Sequence, residues 1–373
     1  MSLLRFLAFS LVLSLLFVFP CFGTEPSVSA EHAVLIEASS GTVLFEKTGY
    51  ERAPMASTTK IMTSILAIES GELDRIITVA PEAVGIEGSS VYLKAGEQLT
   101  MEELVYAVML QSANDAAAAI ACAIDGSTDA FAERMNRKAE ELGLTNTHFT
   151  NPHGLDHEQH YTTAYDLARL AAYALQNSKF AEICSTPKHT IPQPETDGVR
   201  VLVNHNRLLK SYPQAIGVKT GYTKKSGRCL VSAAEKDGLR VIAVTLNAPD
   251  DWNDHREMLD YGFDSLEIRE IASVGDYDLR VDCAGGNKAS ISATNSTALS
   301  LIMRKGESGQ IRAVNELPRF VFAPVKRGQK LGEIVFYAGD RLLGAVDIVA
   351  TENVGAIQGT PSLLDRIKSL FAA

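Results

Sequence analysis

Nowhere in its 373 residues does the chain hold about 20 consecutive apolar residues, the length a membrane-spanning helix needs. Cysteine is scarce: five residues, with no C-x-x-C and no close pairing, so the spacing demands no disulfide framework. Cys122 in an Ala-rich helical stretch and Cys229 in an apolar strand read as buried thiols. Basic charge is short too. Lys and Arg number 35 against 45 Asp and Glu, a net charge of −10, which argues against nucleic acid as a partner. There is no internal repeat and no low-complexity segment.

What is present starts at the N-terminus. Arg5, the apolar run Phe6 to Phe19 and small residues after it read as a secretory signal peptide over residues 1–23. Cleavage is expected after Gly23, with Ala30 as the alternative; lipidation of Cys21 is disfavoured by the stiff, bulky approach of Phe19-Pro20. Losing this segment removes Arg5 and no acid, so the mature chain is one charge more negative. The expected location is outside the cytoplasm, in the cell envelope.

HAVLIEASSGTVLFEKTG reads as a hairpin turning at Ser39-Ser40-Gly41. STTKIMTSILAIESG has a helical period in Ile61, Met62, Ile65 and Leu66 and a stop at Gly71. Thr100 and Glu103 make a capping box opening MEELVYAVML; QSAN breaks that helix, and NDAAAAIACAI begins another whose small side chains permit close packing. Helices are expected at AFAERMNRKAEELG and TAYDLARLAAYAL, then strands at AIGVKTGY, GRCLVSAA and LRVIAVTLNA. Strands at both ends with helices between predict an α/β (α+β) domain over residues 24–270, its first and last strands in one sheet. The alternating, helix-poor stretch 271–353 predicts a small all-β domain, followed by a tail, 354–373.

The chemistry gathers around Ser57-Thr58-Thr59-Lys60. Residues three apart at a helix start face the same way, about 5–6 Å between Cβ atoms, so the lysine amine can reach the serine hydroxyl. An unassisted serine is a poor nucleophile. Lysine can activate it only if its pKa falls from about 10.4 toward neutrality, worth about 4 kcal/mol. Burial and a second cation can supply that, so a second lysine in the site is expected. The other Ser-x-x-K copy, Ser185 to Lys188, contains Pro187 and runs into the loop-like HTIPQPETDG, so it reads as chance.

Ser112-Ala113-Asn114 interrupts two helices and exposes a hydroxyl able to relay protons and an amide able to hold a substrate carbonyl. KTGY occurs twice. The copy at Lys219 to Tyr222 falls on a predicted sheet strand, where an extended peptide can add alongside and Gly221 lets its backbone come close. Lys219 and Thr220 are then placed to bind a terminal carboxylate. The copy at Lys47 to Tyr50 ends a hairpin strand, and Lys47 reads as a solvated strand-end lysine; Lys225-Ser226-Gly227 reads as hairpin turn.

Ser-x-x-K, Ser-x-N and K-T-G in that order, with QSANDAA, FTNPHGLD, HNRLL and GVKTGYT, resemble the serine D-alanyl-D-alanine carboxypeptidases, the low-molecular-mass penicillin-binding proteins. The resemblance covers nearly the whole mature chain. Ser-Ala-Asn in place of the Ser-Asp-Asn of β-lactamases suits the carboxypeptidases. The resemblance implies a serine β-lactamase/transpeptidase-like domain and a peptidoglycan stem peptide ending in D-Ala-D-Ala as substrate. It implies Ser57 as nucleophile, Lys60 as base and Ser112 as proton relay. Asn114 would hold the substrate amide, Lys219 and Thr220 the terminal carboxylate, and the N–H groups of Ser57 and Tyr222 the oxyanion. No cofactor or metal is implied, and β-lactams would acylate Ser57 as covalent inhibitors.

Three other readings compete. His153, His157 and His160 beside Asp156 and Glu158 resemble a metal cluster, although Asn151-Pro152 and Gly154 suggest a loop without the helical ligand spacing. A β-lactamase would need a carboxylate to activate water, for which Glu133 and Glu158 are candidates only by position. A β-lactam or muropeptide sensor would acylate without turnover. The tail TPSLLDRIKSLFAA, capped at Thr360-Pro361, puts Leu363, Leu364, Ile367, Leu370 and Phe371 on one helical face, too short to span a bilayer but suited to its surface or to packing on the β domain.

Overall fold

The computed structural model describes residues 24–193, 198–307 and 310–357. The expected signal peptide and tail helix lie outside the described residues. The chain divides into two units at Ser265, with the turn segment Glu235–Arg240 grouped with the second.

In the first unit, β1 (His32–Glu37) and β2 (Val43–Lys47) form the expected hairpin, with a bulge at Leu35/Ile36. A single 3-10 turn, Ala56–Thr59, leads into α1 (Lys60–Glu69), which is buried along nearly its whole length. β3 (Ile76–Thr78) and β4 (Gln98–Thr100) make a short ladder that delivers the chain to α2 (Met101–Leu110). The capping box is formed: the Glu103 N–H donates to Thr100 Oγ1 at 3.2 Å, and the Thr100 N–H to Glu103 Oε2 at 2.7 Å. Then come α3 (Asn114–Asp125), α4 (Thr128–Glu141), α5 (Ala164–Ala174) and α6 (Ser178–Ser185). β5 (Lys188–Gln193) and β6 (Gly198–Val203) pair with each other, and α7 (Leu208–Ser211) is one turn. β7 (Ala215–Thr223), β8 (Gly227–Lys236), β9 (Leu239–Leu246) and α8 (Asp251–Ser265) complete the unit.

The main sheet has the order β2-β1-β9-β8-β7, so the first and last strands do share it. Ala116 to Ala119 and Ala121 of α3 are buried in the core shared with α1 and α2, the close packing small side chains permit. Cys122 departs from expectation: it is only half-buried, whereas Cys229 is fully buried in β8. HTIPQPETDG is not the expected loop, because its first half lies in β5, where Pro192 is tolerated in a two-stranded ladder that asks little of its N–H. Helices α6 and α8 were not expected either. The buried face of α8 includes Asp254, which accepts from Ser29 N and Oγ at 2.8 Å each, and His255, held between Ser232 and Thr245. Polar residues buried by hydrogen bonds leave no apolar period to read.

In the second unit, β10 (Leu266–Ala272), β11 (Leu279–Ala284), β12 (Ser290–Asn295) and β13 (Leu299–Arg304) precede β14 (Ile311–Glu316), β15 (Phe320–Phe322), β16 (Lys330–Ala338) and β17 (Arg341–Ala350). Six of them form a sheet ordered β14-β16-β17-β12-β11-β15, while β10 pairs with β13. Val281, Ile291, Phe336, Val346 and Ile348 are the centre of its own small core. The all-β character expected from the alternating sequence is met. Among the described residues no helix is long and apolar enough to cross a membrane.

Candidate active site

Ser57 is presented by a tight turn. Ala56 takes a positive φ of 47°, unusual for a residue with a side chain, and the Thr58 N–H closes back on the Met55 carbonyl at 3.2 Å. Lys60, the first residue of α1, is fully buried. Its Nζ lies 2.9 Å from Ser57 Oγ, 2.6 Å from Asn114 Oδ1 and 2.6 Å from the His153 carbonyl oxygen. Burial pushes the Lys60 amine well below the usual lysine range, the cation of Lys219 pushes it the same way, and Asp115 opposes them.

Asn114 opens α3, and the break before it is sharp: Ser112 has φ 59° and is buried. The Asn114 amide donates to the Glu87 carbonyl at 2.5 Å, and its backbone N–H donates to the Ser89 carbonyl at 2.7 Å. Asp115 accepts from Ser90 Oγ at 2.6 Å and from the Leu93 N–H at 3.0 Å, which ties loop 88–93 to the start of α3.

Lys219, in the middle of β7, is 1% exposed. Burial lowers its pKa to about 7, and Nζ donates to the Thr220 carbonyl at 3.0 Å. Gly221 has a structural role that was not expected. A Cβ built on it would lie 3.1 Å from both the Ser57 N and the Ala56 Cβ, so the missing side chain lets the strand lie against the serine turn. Tyr222 is 66% exposed.

Two clefts meet at Ser57. One, about 420 Å³, is lined by Gly88, Asn114, His153, Leu155 and Tyr222. The other, about 290 Å³, is lined by Ser112, Thr220, Arg207, Arg228 and Trp252 among others. Ser57, Lys60, Ser112, Asn114, Lys219, Thr220, Gly221 and Tyr222 therefore converge on one place. The other copies do not: Ser185 Oγ bonds back to the Ala181 carbonyl at 2.8 Å, and Lys188 is exposed on β5. Glu133 and Glu158 are both exposed and line neither cleft.

The three histidines diverge. His160 Nε2 lies 2.7 Å from Thr59 Oγ1 while its Nδ1 accepts from the Thr150 N–H at 3.0 Å. His157 is exposed, its Nδ1 accepting from the Gln159 N–H at 3.1 Å. His153 and His160 are lowered to about 3, chiefly by burial. What this loop supplies is backbone. Pro152 accepts from Thr63 Oγ1 at 2.5 Å, and His153 accepts from Lys60. Gly154, at φ +90°, sits where a Cβ would fall 1.9 Å from the Ala56 carbonyl oxygen. FTNPHGLD was legible as a motif, but the backbone brace it forms was not. Sequence reasoning gave no role to Arg207, although HNRLL contains it, and it missed Arg228 and Trp252, which belong to none of the motifs.

The family described as D-alanyl-D-alanine carboxypeptidase matches residues 22–250, and the penicillin-binding protein 5 C-terminal domain matches residues 267–356. The D-alanyl-D-alanine carboxypeptidase DacF of Bacillus subtilis is 35% identical over 89% of this chain and 87% of its own. DacC of Escherichia coli is 32% identical over 95% and 92%. Penicillin-binding protein 5 from Haemophilus influenzae superposes with a TM-score of 0.67 at 27% identity, covering 89% of this chain and 99% of that one. The chain belongs to the D-alanyl-D-alanine carboxypeptidase family, as its motifs implied, and carries that family's penicillin-binding protein architecture. No comparison favours a β-lactamase or a sensor.

Proposed function

We propose that the chain removes the terminal D-alanine from peptidoglycan stem peptides through an acyl-enzyme on Ser57. The observation that carries this reading is the arrangement around Lys60. A neutral amine has two hydrogens and one lone pair. The Asn114 and His153 carbonyl oxygens can take the two hydrogens, which leaves the lone pair for the Ser57 hydroxyl. Burial and the neighbouring Lys219 both favour that neutral form.

In the forward step, Lys60 takes the proton as Ser57 Oγ attacks the carbonyl between the two D-alanines. The N–H groups of Ser57 and Tyr222 stabilise the oxyanion, each worth roughly 2.7–4 kcal/mol in comparable sites. The C–N bond breaks as Ser112, which lines the same cleft as Thr220, passes a proton to the departing amine. Lys219 and Thr220 hold the carboxylate of the leaving residue, and Asn114 holds the amide on the other side of Ser57. Water then attacks the ester, frees the shortened peptide and returns the proton to Ser57. A β-lactam would acylate Ser57 by the same attack and leave slowly. The substrate lies outside the cytoplasm, which accords with the expected signal peptide and with a tail held at the outer face of the cytoplasmic membrane.

Ser57→Ala is expected to abolish both hydrolysis of a D-Ala-D-Ala peptide and covalent labelling by penicillin. Labelling that survives the change contradicts the assignment.

A further inference from the structure

An exposed sheet edge is usually covered or carries charge. The β15 edge of the second unit carries two bare phenylalanines instead. We propose that this edge, with Phe320 and Phe322, is a lipid-contact surface that rests on an anionic bilayer. The inference is independent of the chemistry assigned to Ser57, and it does not need the tail beyond Ile357.

β15 is an outer strand of the six-stranded sheet. Val321 packs on the core of the unit, so Phe320 and Phe322 on either side of it face the other way. They are 50% and 73% exposed, and their rings meet edge to face with centroids 5.2 Å apart. The backbone of Ile357, itself exposed, lies beside this edge. Its N–H donates to the Gly285 carbonyl at 2.9 Å, and Ala284 is the partner of Phe322 across the β11–β15 ladder. The chain therefore leaves the described residues next to the pair, with residues 358–373 still to follow.

The charges around the pair are mostly of one sign. PRFVFAPVKR, residues 318–327, holds Arg319, Lys326 and Arg327 and no acid, in a chain whose net charge is −10. All three cations are exposed, and among the described residues no carboxylate pairs with them. The register sets Asp282 beside Phe320, one carboxylate against three cations. Aromatic rings at headgroup level with cations next to them are the chemistry an anionic lipid surface accepts.

A protein partner fits this edge less well. β15 is three residues long and bracketed by Pro318 and Pro324, so it offers a further strand little to pair with. A whole aromatic side chain carries about 150–250 Å². Two partly exposed rings therefore fall well short of the roughly 800 Å² per partner of a stable protein interface. A bilayer can take them singly.

The experiment mixes the mature chain from Thr24, which lacks the apolar N-terminal segment, with vesicles of phosphatidylglycerol and phosphatidylcholine and measures bound protein by flotation. Phe320→Ser combined with Phe322→Ser should weaken binding by about tenfold or more, with melting temperature and penicillin labelling unchanged. A chain ending at Gly359 should still bind, and the two Phe changes should abolish that binding. In a second arm, Phe322→Trp should be quenched by vesicles with brominated acyl chains beyond the wild type, whose only tryptophan, Trp252, lies in the first unit. Full binding by the double Phe variant, or no added quenching at position 322, overturns the proposal. So does loss of all binding on truncation at Gly359, which would leave the tail as the sole contact. A dimer that the double Phe variant converts to monomer would assign the edge to a second copy and also overturn it.

Discussion

The two KTGY segments spell the same four residues on opposite edges of one sheet. Four strand-to-strand steps of about 4.8 Å separate β2 from β7, roughly 19 Å. Lys47 is exposed at the end of its strand, and its Nζ donates to the Val28 carbonyl at 3.0 Å. Lys219 is buried in mid-strand with its pKa brought down to about 7. The glycines differ as well. A Cβ on Gly49 would meet the Ala33 carbonyl at 2.8 Å, a contact within the sheet, whereas one on Gly221 would press on the Ser57 turn. The comparison teaches that the same four residues lie against the proposed nucleophile in one place and away from it in the other, and that burial rather than the motif brings the Lys219 pKa down.

The largest expected effect contrasts the two Ser-x-x-K copies. Lys60→Ala should lower kcat/KM by 10²–10⁴-fold, the usual range for a general base, while Lys188→Ala should match wild type. Next come the glycines. Gly221→Ala should cost activity by about tenfold with little change in melting temperature, because the displaced group is the Ser57 turn. Gly49→Ala should do the reverse, lowering the melting temperature and sparing kcat/KM. A Gly221→Ala enzyme with full activity would show that the strand does not bear on the serine.

A smaller effect lies in the pH profile. Lys60 must be neutral to act, so kcat/KM rises with pH through its lowered pKa. Lys219 must be charged to bind a carboxylate, so kcat/KM falls as pH rises past about 7 in the free enzyme. Lys219→Met should remove that fall and move the rising limb to higher pH, since Lys60 loses the neighbouring cation. Stability should move the opposite way to activity. The folded Lys219 pKa lies below the unfolded value, so its cost is fully present below about pH 7 and is relieved as pH rises toward about 10.5. Lys219→Met should therefore raise the melting temperature at pH 6 more than at pH 10.

Much of this was legible because residue types and local periods carry it. The apolar rows of α1 and the capping box of α2 declare themselves, and Ser57, Lys60, Ser112, Asn114 and Lys219 come in recognisable triplets. What stayed hidden works through backbone or through assembly. The His153 carbonyl that holds Lys60 has no side-chain signature, and the polar buried face of α8 erases its period. Arg207, Arg228 and Trp252 come from three separate elements and meet only in the fold. Gly221 was legible as a place of close approach, but its contact with the Ser57 turn was not.

The most direct test of the account is kcat/KM on a D-Ala-D-Ala peptide for Lys219→Ala and Lys47→Ala measured side by side. Lys219→Ala should lose at least tenfold, about 1.4 kcal/mol of transition-state binding, and Lys47→Ala less than about twofold, as solvated lysines usually do. Equal losses, or the larger loss at Lys47, would contradict the assignment of β7 as the substrate-binding edge.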